Sequence, residues 1–320
     1  MRVDMSTHSK SQLTCFGEAL IDLLPHDGEA LLPIVGGAPA NVAVGFAKLG
    51  GKSVFLGGLS QDPFGHKIEN TLQHYGVDTQ FCVKVNDANT ALAVVQLDQY
   101  KERQFSFYRE NTADIKVEID AFDSVSWPEN GIFHFCSNTL TDPDISQVHM
   151  ALLKRAKMHN QLISYDVNLR LNLWLDLTLL PERVERCYLH CDIIKFSQEE
   201  LDYLCQLGNI SCKRYCDWLL SLGVKVIIVS NGKEPVHVIT EKSELFVNTP
   251  EITVADTTGA GDSLISGFLF YLSNNEIDIC TLTENTHELK QAIEFAIKCG
   301  AYTCTEIGAM PALPTLDKIV

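Results

Sequence analysis

The stretch VADTTGAGDSLISGFLFYL, residues 254–272, carries the densest chemistry in the chain. Gly259-Ala260-Gly261 precedes an apolar helical run. Small residues there let a bound anion approach the backbone. The first N–H groups of a helix have no partner inside it, and the helix dipole favours negative charge at that end. Asp262 falls in the first turn, beside the place where the anion would rest. A lone Asp in a first turn commonly does no more than complement the dipole. The other reading is a general base that takes the proton from a hydroxyl attacking phosphorus. A carboxylate repels a phosphate, so its place in a glycine cradle favours the catalytic reading.

A second constellation lies near the start of the chain. In GGAPANVAVGFAKLG, residues 36–50, Gly36-Gly37 makes a close-approach turn and Pro39 suits the first helical position. The helix from about 39 is apolar nearly all round, which predicts burial. Asn41 is the polar exception near its start: a satisfied buried amide on one reading, a ligand-binding amide on the other. Asp22, in GEALIDLLP, is a lone carboxylate in an apolar run. An unpaired buried carboxylate is costly. A polyhydroxylated ligand would satisfy it, and so would a backbone turn. GGKS at 50–53 imitates the end of a Walker A loop, but the required first Gly falls at Phe46 and the helix and strand come in the wrong order. No Gly-x-Gly-x-x-Gly follows the first strand, against a dinucleotide-binding dehydrogenase. There is no Gly-x-Ser-x-Gly elbow either.

These groups need elements to position them. Short β-rich runs occur at 13–17, 53–58, 132–136, 162–167, 192–197 and 225–230. Helical patterns lie at about 39–49, 63–75, 145–158, 181–190, 198–206, 211–222, 261–273 and 287–299. The alternation predicts a Rossmann-like, three-layer α/β/α fold with a mostly parallel central sheet. Residues 19–35 and 80–110 break the pattern and read as strands with hairpin-like joints. They predict a small β-sheet lid beside the carboxyl ends of the main strands, where ligands bind in open α/β sheets. Such a lid would exclude water on closing. The expected division is a main domain of 1–18, 37–79 and 112–320, with a lid of 19–36 and 80–111.

Composition narrows the classes of function. Among 320 residues, 25 Lys and Arg face 41 Asp and Glu, a net charge of −16. That balance disfavours nucleic acid or an anionic membrane as the main partner. No apolar run reaches the ~18 residues of a membrane span. The first twelve residues lack an apolar signal core. The eleven cysteines are scattered and odd in number, so reduced thiols are expected, and with them the cytoplasm. Cys187/Cys191 and Cys212/Cys216, at helical i,i+4 spacing, read as buried thiols rather than zinc ligands.

The two glycine motifs resemble the two signatures of the ribokinase-like (PfkB-type) sugar kinases, in the right order and about 220 residues apart. The resemblance spans nearly the whole chain. It implies the ribokinase-like fold and transfer of the γ-phosphoryl group of ATP to a sugar hydroxyl, with Mg2+ and K+ as cofactors. By that resemblance Asp262 is the catalytic base and the Gly259, Ala260 and Gly261 backbone is the anion hole. Asp22, Gly37 and Asn41 would bind the sugar. Asp256 and Thr258 would sit beside the monovalent cation. Lys195 and Glu200, in KFSQEEL, resemble the motif near the phosphates and magnesium. Ser230 and Gly232 would contact the nucleotide, and Cys299 and Gly300 would lie near the adenine.

Within the family the details resemble the fructokinase branch. GGAPAN is similar to its form of the first signature. FSFYRENTAD, residues 105–114, would place Tyr108 and Arg109 near the sugar, and DVNLRLNLW, residues 166–174, would line the pocket with Asn168 and Arg170. Val167, Ser197, Pro235 and Cys299 depart from the family pattern. The implied reaction converts D-fructose to fructose 6-phosphate. A 2-keto-3-deoxygluconate kinase or a ribokinase keeps the chemistry and changes the sugar. A non-catalytic sugar sensor would lose the base or the anion turn, and both are present. A homodimer formed through the lid is implied by analogy.

Overall fold

The computed structural model describes residues 11–26, 30–97 and 103–320. The N-terminal residues 1–10 read above for a signal, and parts of the expected lid at 27–29 and 98–102, lie outside the described residues. In chain order the first elements are β1 (Gln12–Phe16), β2 (Leu20–Pro25), β3 (Leu31–Gly36), α1 (Ala38–Lys48), β4 (Lys52–Leu56), β5 (Gly58–Ser60), α2 (Pro63–His74), β6 (Val77–Asp78) and β7 (Val83–Val85). Then come β8 (Leu92–Leu97), β9 (Arg103–Tyr108), β10 (Ile132–Cys136), α3 (Pro143–Met158), β11 (Leu162–Asp166), α4 (Leu180–Tyr188), β12 (Ile193–Ser197), α5 (Gln198–Leu207) and α6 (Cys212–Ser221). The last are β13 (Val226–Ser230), β14 (Val236–Ile239), β15 (Glu244–Val247), α7 (Ala260–Asn274), α8 (Ile279–Glu284) and α9 (Thr286–Thr303).

Local chemistry sets the helix starts. Prolines occupy the first turns of α1, α2, α3 and α4, where a missing N–H costs nothing. Asp62, Asp142, Ser197 and Ser211 cap their helices with side-chain oxygens. Helix α7 has no side-chain cap.

The main sheet has the strand order β15-β14-β13-β12-β11-β10-β1-β4-β6. Pairing is parallel from β6 to β13, and β14 and β15 close the far edge antiparallel. Alternate residues of each strand feed two cores. Leu13, Cys15, Ile193 and Ile228 pack under α1, α2, α7, α8 and α9. Phe16, Phe133, Tyr165 and Phe196 pack under α3, α4, α5 and α6. Burial on both faces explains the unbroken apolar runs. The chain moves outward from β1 in opposite directions, to β4 on one side and β10 on the other, which makes a topological switch point.

A separate four-stranded sheet has the order β3-β2-β8-β9. One cross-strand row runs Ile34, Asp22, Ala93, Phe107. The expectation that 80–110 feeds only this sheet is corrected for Val83–Val85, which pairs in parallel with Gly58–Ser60 instead. The β14–β15 hairpin and the short α8 were not expected from the pattern. Four-residue strands and a six-residue helix are too short to establish a period.

Helix α7 is pressed between α1 and α9 by missing side chains. A Cβ at Gly45 would stand 2.4 Å from Ser266 Oγ, and one at Gly267 would stand 2.8 Å from Cys299 Sγ. Overpacking a filled interface costs about 1–3 kcal/mol. Gly45→Val is therefore expected to lower unfolding free energy by about 2 kcal/mol in urea titrations. An unchanged midpoint would show that α1 and α7 have room to part.

Candidate active site

A cleft of about 770 Å³ opens at the carboxyl ends of β1, β10, β11 and β12, with the small sheet forming one wall. The N-terminus of α7 forms its floor. Gly259 precedes that helix with φ 77°, in the left-handed region that glycine enters without strain. A Cβ at Gly261 would lie 3.1 Å from Lys195 Nζ, so the ammonium stands directly over the turn. Behind the turn, Asp256 Oδ1 accepts from the Thr258 N–H at 2.9 Å and the Thr258 hydroxyl at 2.7 Å, while Oδ2 accepts from the Gly308 N–H at 2.8 Å. This clamp fixes the loop that feeds the helix.

The two glycine motifs meet at one contact. Asn41 Nδ2 donates to Asp262 Oδ2 at 2.8 Å across 221 residues of sequence. Burial pushes the Asp262 carboxyl up to about 6, and the Asp166 charge adds to the rise. The Asn41 hydrogen bond, Lys195 and Arg170 oppose it. Asp262 thus sits between its ordinary range and neutrality, where a carboxylate can both take and release a proton.

Lys195 Nζ donates to both oxygens of Asp166 at 2.9 Å. Burial alone would lower the Lys195 value, but Asp166 and Glu200 hold the ammonium above its ordinary range. Glu200 accepts from the Leu169 N–H at 2.7 Å and the Ser197 N–H at 2.8 Å, tying the β11 end to the start of α5. It does not itself line the cleft. Asn168 and Arg170 do. Asn168 has φ 39°, a strained conformation for a residue with a side chain, and its buried Nδ2 has no partner among the described residues.

The small sheet contributes Leu20, Asp22 and Phe107 to the cleft, and the turn after it contributes Gly37. Two expectations are corrected here. Tyr108 is 63% exposed and does not line the cleft. Successive strand residues face opposite sides, and Phe107 takes the inner one. Arg109 is buried in an anchor: Nε donates to Asp114 Oδ2 at 2.5 Å and Nη1 to the Asn138 carbonyl at 2.7 Å. Ser230 and Gly232 sit at and just after the end of β13, outside the cleft proper, and Gly232 has φ 54° with open space around it. Cys299 is wholly buried against Gly267 of α7. Gly300 stands 3.0 Å, from its would-be Cβ, off the Ala260 carbonyl. These two seat the first turns of α7 against α9. Ala260 itself lies outside the cleft lining.

Three buried polar residues of the cleft were not singled out from sequence: Glu18, Asn138 and Asp166. A positional signal existed. Each lies at or just beyond the carboxyl end of a parallel strand, where open α/β sheets bind ligands.

The chain matches the family described as pfkB family carbohydrate kinase over residues 10–316. It is 36% identical over 323 residues to a probable chloroplastic fructokinase-6 of Arabidopsis thaliana, covering 99% of this chain and 83% of that protein. The crystal structure of a fructokinase from Xylella fastidiosa with bound ATP superposes with TM-score 0.92 at 35% identity, covering 97% of each chain. A fructokinase double mutant from Vibrio cholerae O395, bound to fructose, ADP and a potassium ion, superposes with TM-score 0.88 at 32% identity, covering 97% of this chain and 98% of that one.

The raised Asp262 value carries a stability consequence. The native state holds this proton more tightly than the unfolded chain does, so the stabilisation is full below the ordinary value of 3.8 and is lost as pH rises through about 6. Asp262→Asn should therefore be more stable than the parent at pH 7.5, by at most about 3 kcal/mol, with the difference gone below about pH 4. Urea unfolding at both pH values checks this. A variant less stable at pH 7.5 would contradict it.

Proposed function

The chain belongs to the pfkB family of carbohydrate kinases, and from that premise we propose that it transfers the γ-phosphoryl group of ATP to the 6-hydroxyl of D-fructose. The observation that carries this reading is the Asn41–Asp262 contact at a helix N-terminus that no side chain caps. It puts a proton acceptor, an anion-binding turn and a sugar-facing amide in one cleft.

The γ-phosphate rests on the 259–261 turn, where the N–H groups and helix dipole favour it. Lys195 adds a positive charge over the same turn. Asp262 takes the proton of the attacking hydroxyl. The oxygen forms its bond to phosphorus as the bond to the bridging oxygen of ADP breaks, and the proton later leaves Asp262 for solvent. Asp22, Gly37, Asn41, Asn168 and Arg170 hold the sugar from the surrounding walls. Closure of the small sheet over the bound sugar would exclude water, which suppresses hydrolysis of ATP. Ser230 and Gly232 lie on the path the nucleoside follows from the turn.

Magnesium bound with ATP would lie near Asp166 and Glu200 and would offset charge developing on the phosphates. The neighbouring carboxylates already accept hydrogen bonds, Asp166 from Lys195 and Glu200 from two backbone N–H groups. Those residues fit a metal held through water rather than one gripped by protein oxygens. Asp256 and Thr258 would offer oxygen donors to a potassium ion that would stiffen the turn. Exposed Leu31 and Leu32, on the edge strand of the small sheet, support a homodimer through that sheet. The eleven free thiols support residence in the cytoplasm.

Coupled ADP-release assays over fructose, ribose and 2-keto-3-deoxygluconate test the substrate, and fructose is expected to give the highest kcat/KM. Asp262→Ala should lower kcat by about 10²–10⁴-fold. The parent kcat/KM should rise with pH through about 6 and then level off, because the base must be ionised. Replacing K+ by tetramethylammonium should reduce turnover. An Asp262→Ala enzyme that stays folded and fully active would remove the proposed base.

A further inference from the structure

We infer that Glu18 is a sugar-binding residue, one carboxylate oxygen securing the hinges of the small sheet while the other accepts a hydrogen bond from a substrate hydroxyl. The inference rests on the sugar-kinase reading and adds to it a residue in the middle of the fold's crossings. Glu18 lies between β1 and β2, where the chain passes from the main sheet to the small one. It is 1% exposed, yet it lines the cleft.

Its Oε1 does the structural work. That oxygen accepts from the Ala38 N–H at 3.2 Å, where the chain returns from β3 to α1. It also accepts from Asn138 Nδ2 at 2.7 Å, just beyond β10. The Asn138 carbonyl in turn accepts from Arg109 Nη1 at 2.7 Å, where the chain leaves β9. Gly37 completes the junction, since a Cβ there would stand 2.5 Å from the Glu18 carbonyl oxygen. Two crossings between the sheets thus meet at this carboxylate, and a third is linked to it through Asn138.

Its Oε2 has no such task. It is buried without a hydrogen-bond partner among the described residues, and so is Asn138 Oδ1. Leaving buried acceptors unmatched is costly. Both belong to residues that line the cleft, so a ligand with several hydroxyl donors supplies what they lack. Burial pushes the Glu18 carboxyl up, while Arg109 and the Asn138 amide pull it back toward the ionised, strongly accepting form. Because Oε1 secures the hinges, a hydroxyl on Oε2 would also bias the small sheet toward one position over the cleft.

Glu18→Gln tests this. The amide retains an acceptor for Ala38 and Asn138 and turns the unpartnered acceptor into a donor. The parent enzyme is assayed first: absence of fructose-dependent ADP release would defeat the sugar-kinase reading itself. With activity present, E18Q should raise the KM for fructose by about 10–100-fold. The KM for ATP and the melting temperature should stay near parental. Among single-deoxy fructose analogues, one should bind the parent more weakly than fructose does but lose that disadvantage in E18Q. An unchanged fructose KM, or an equal penalty on every analogue in both enzymes, would overturn the inference. Should E18Q fail to fold, a parent crystal soaked in fructose decides. A hydroxyl within about 3.2 Å of Glu18 Oε2 supports the inference, and none within reach overturns it.

Discussion

A carboxylate beside the open start of a helix is pulled two ways. The dipole of α7 and the hydrogen bond from Asn41 favour its charge, whereas burial and the nearby Asp166 oppose it. At Asp262 burial prevails and the carboxyl is pushed up to about 6, with one hydrogen bond from Asn41 limiting the rise. That bond exists only because α1 and α7 pack closely enough for small residues such as Gly45 to meet Ser266. The sheet beneath, the loop clamp at Asp256 and the seating of α7 on Gly300 all hold this one contact in place.

An acidic protein that binds a nucleotide triphosphate must make its positive field locally. With a net charge of −16 the global field repels the substrate. Lys195 supplies the local charge, and Asp166 grips both sides of it so that the ammonium survives burial. Removing one partner of such a pair strands the other, so Asp166 and Lys195 act as a unit. Asp166 therefore fixes Lys195 and at the same time lifts Asp262.

The main sheet was legible because buried parallel strands read as unbroken apolar runs, as in IFHFC and VIIVS. The helix starts were legible through proline and capping residues. The anion turn and its partners Asn41, Lys195 and Asp256 were legible as motifs, and they do converge on one cleft. What stayed hidden depends on orientation. Nothing in FSFYRE says that Phe107 rather than Tyr108 faces inward, or that Arg109 spends its guanidinium on Asp114. Glu18 looked like any strand-end acid until the fold brought Ala38 and Asn138 to it. Nor does the sequence say that Cys299 fills the space left by Gly267.

Carboxyl carbon NMR of the ligand-free protein, with aspartate labelled and the Asp262→Asn variant used for assignment, probes the disputed balance at its source. The account predicts that Asp262 titrates with a midpoint near 6. A midpoint at the ordinary aspartate value, near 4, would mean that neither burial nor Asp166 governs this carboxyl, and the poised base would have no physical basis.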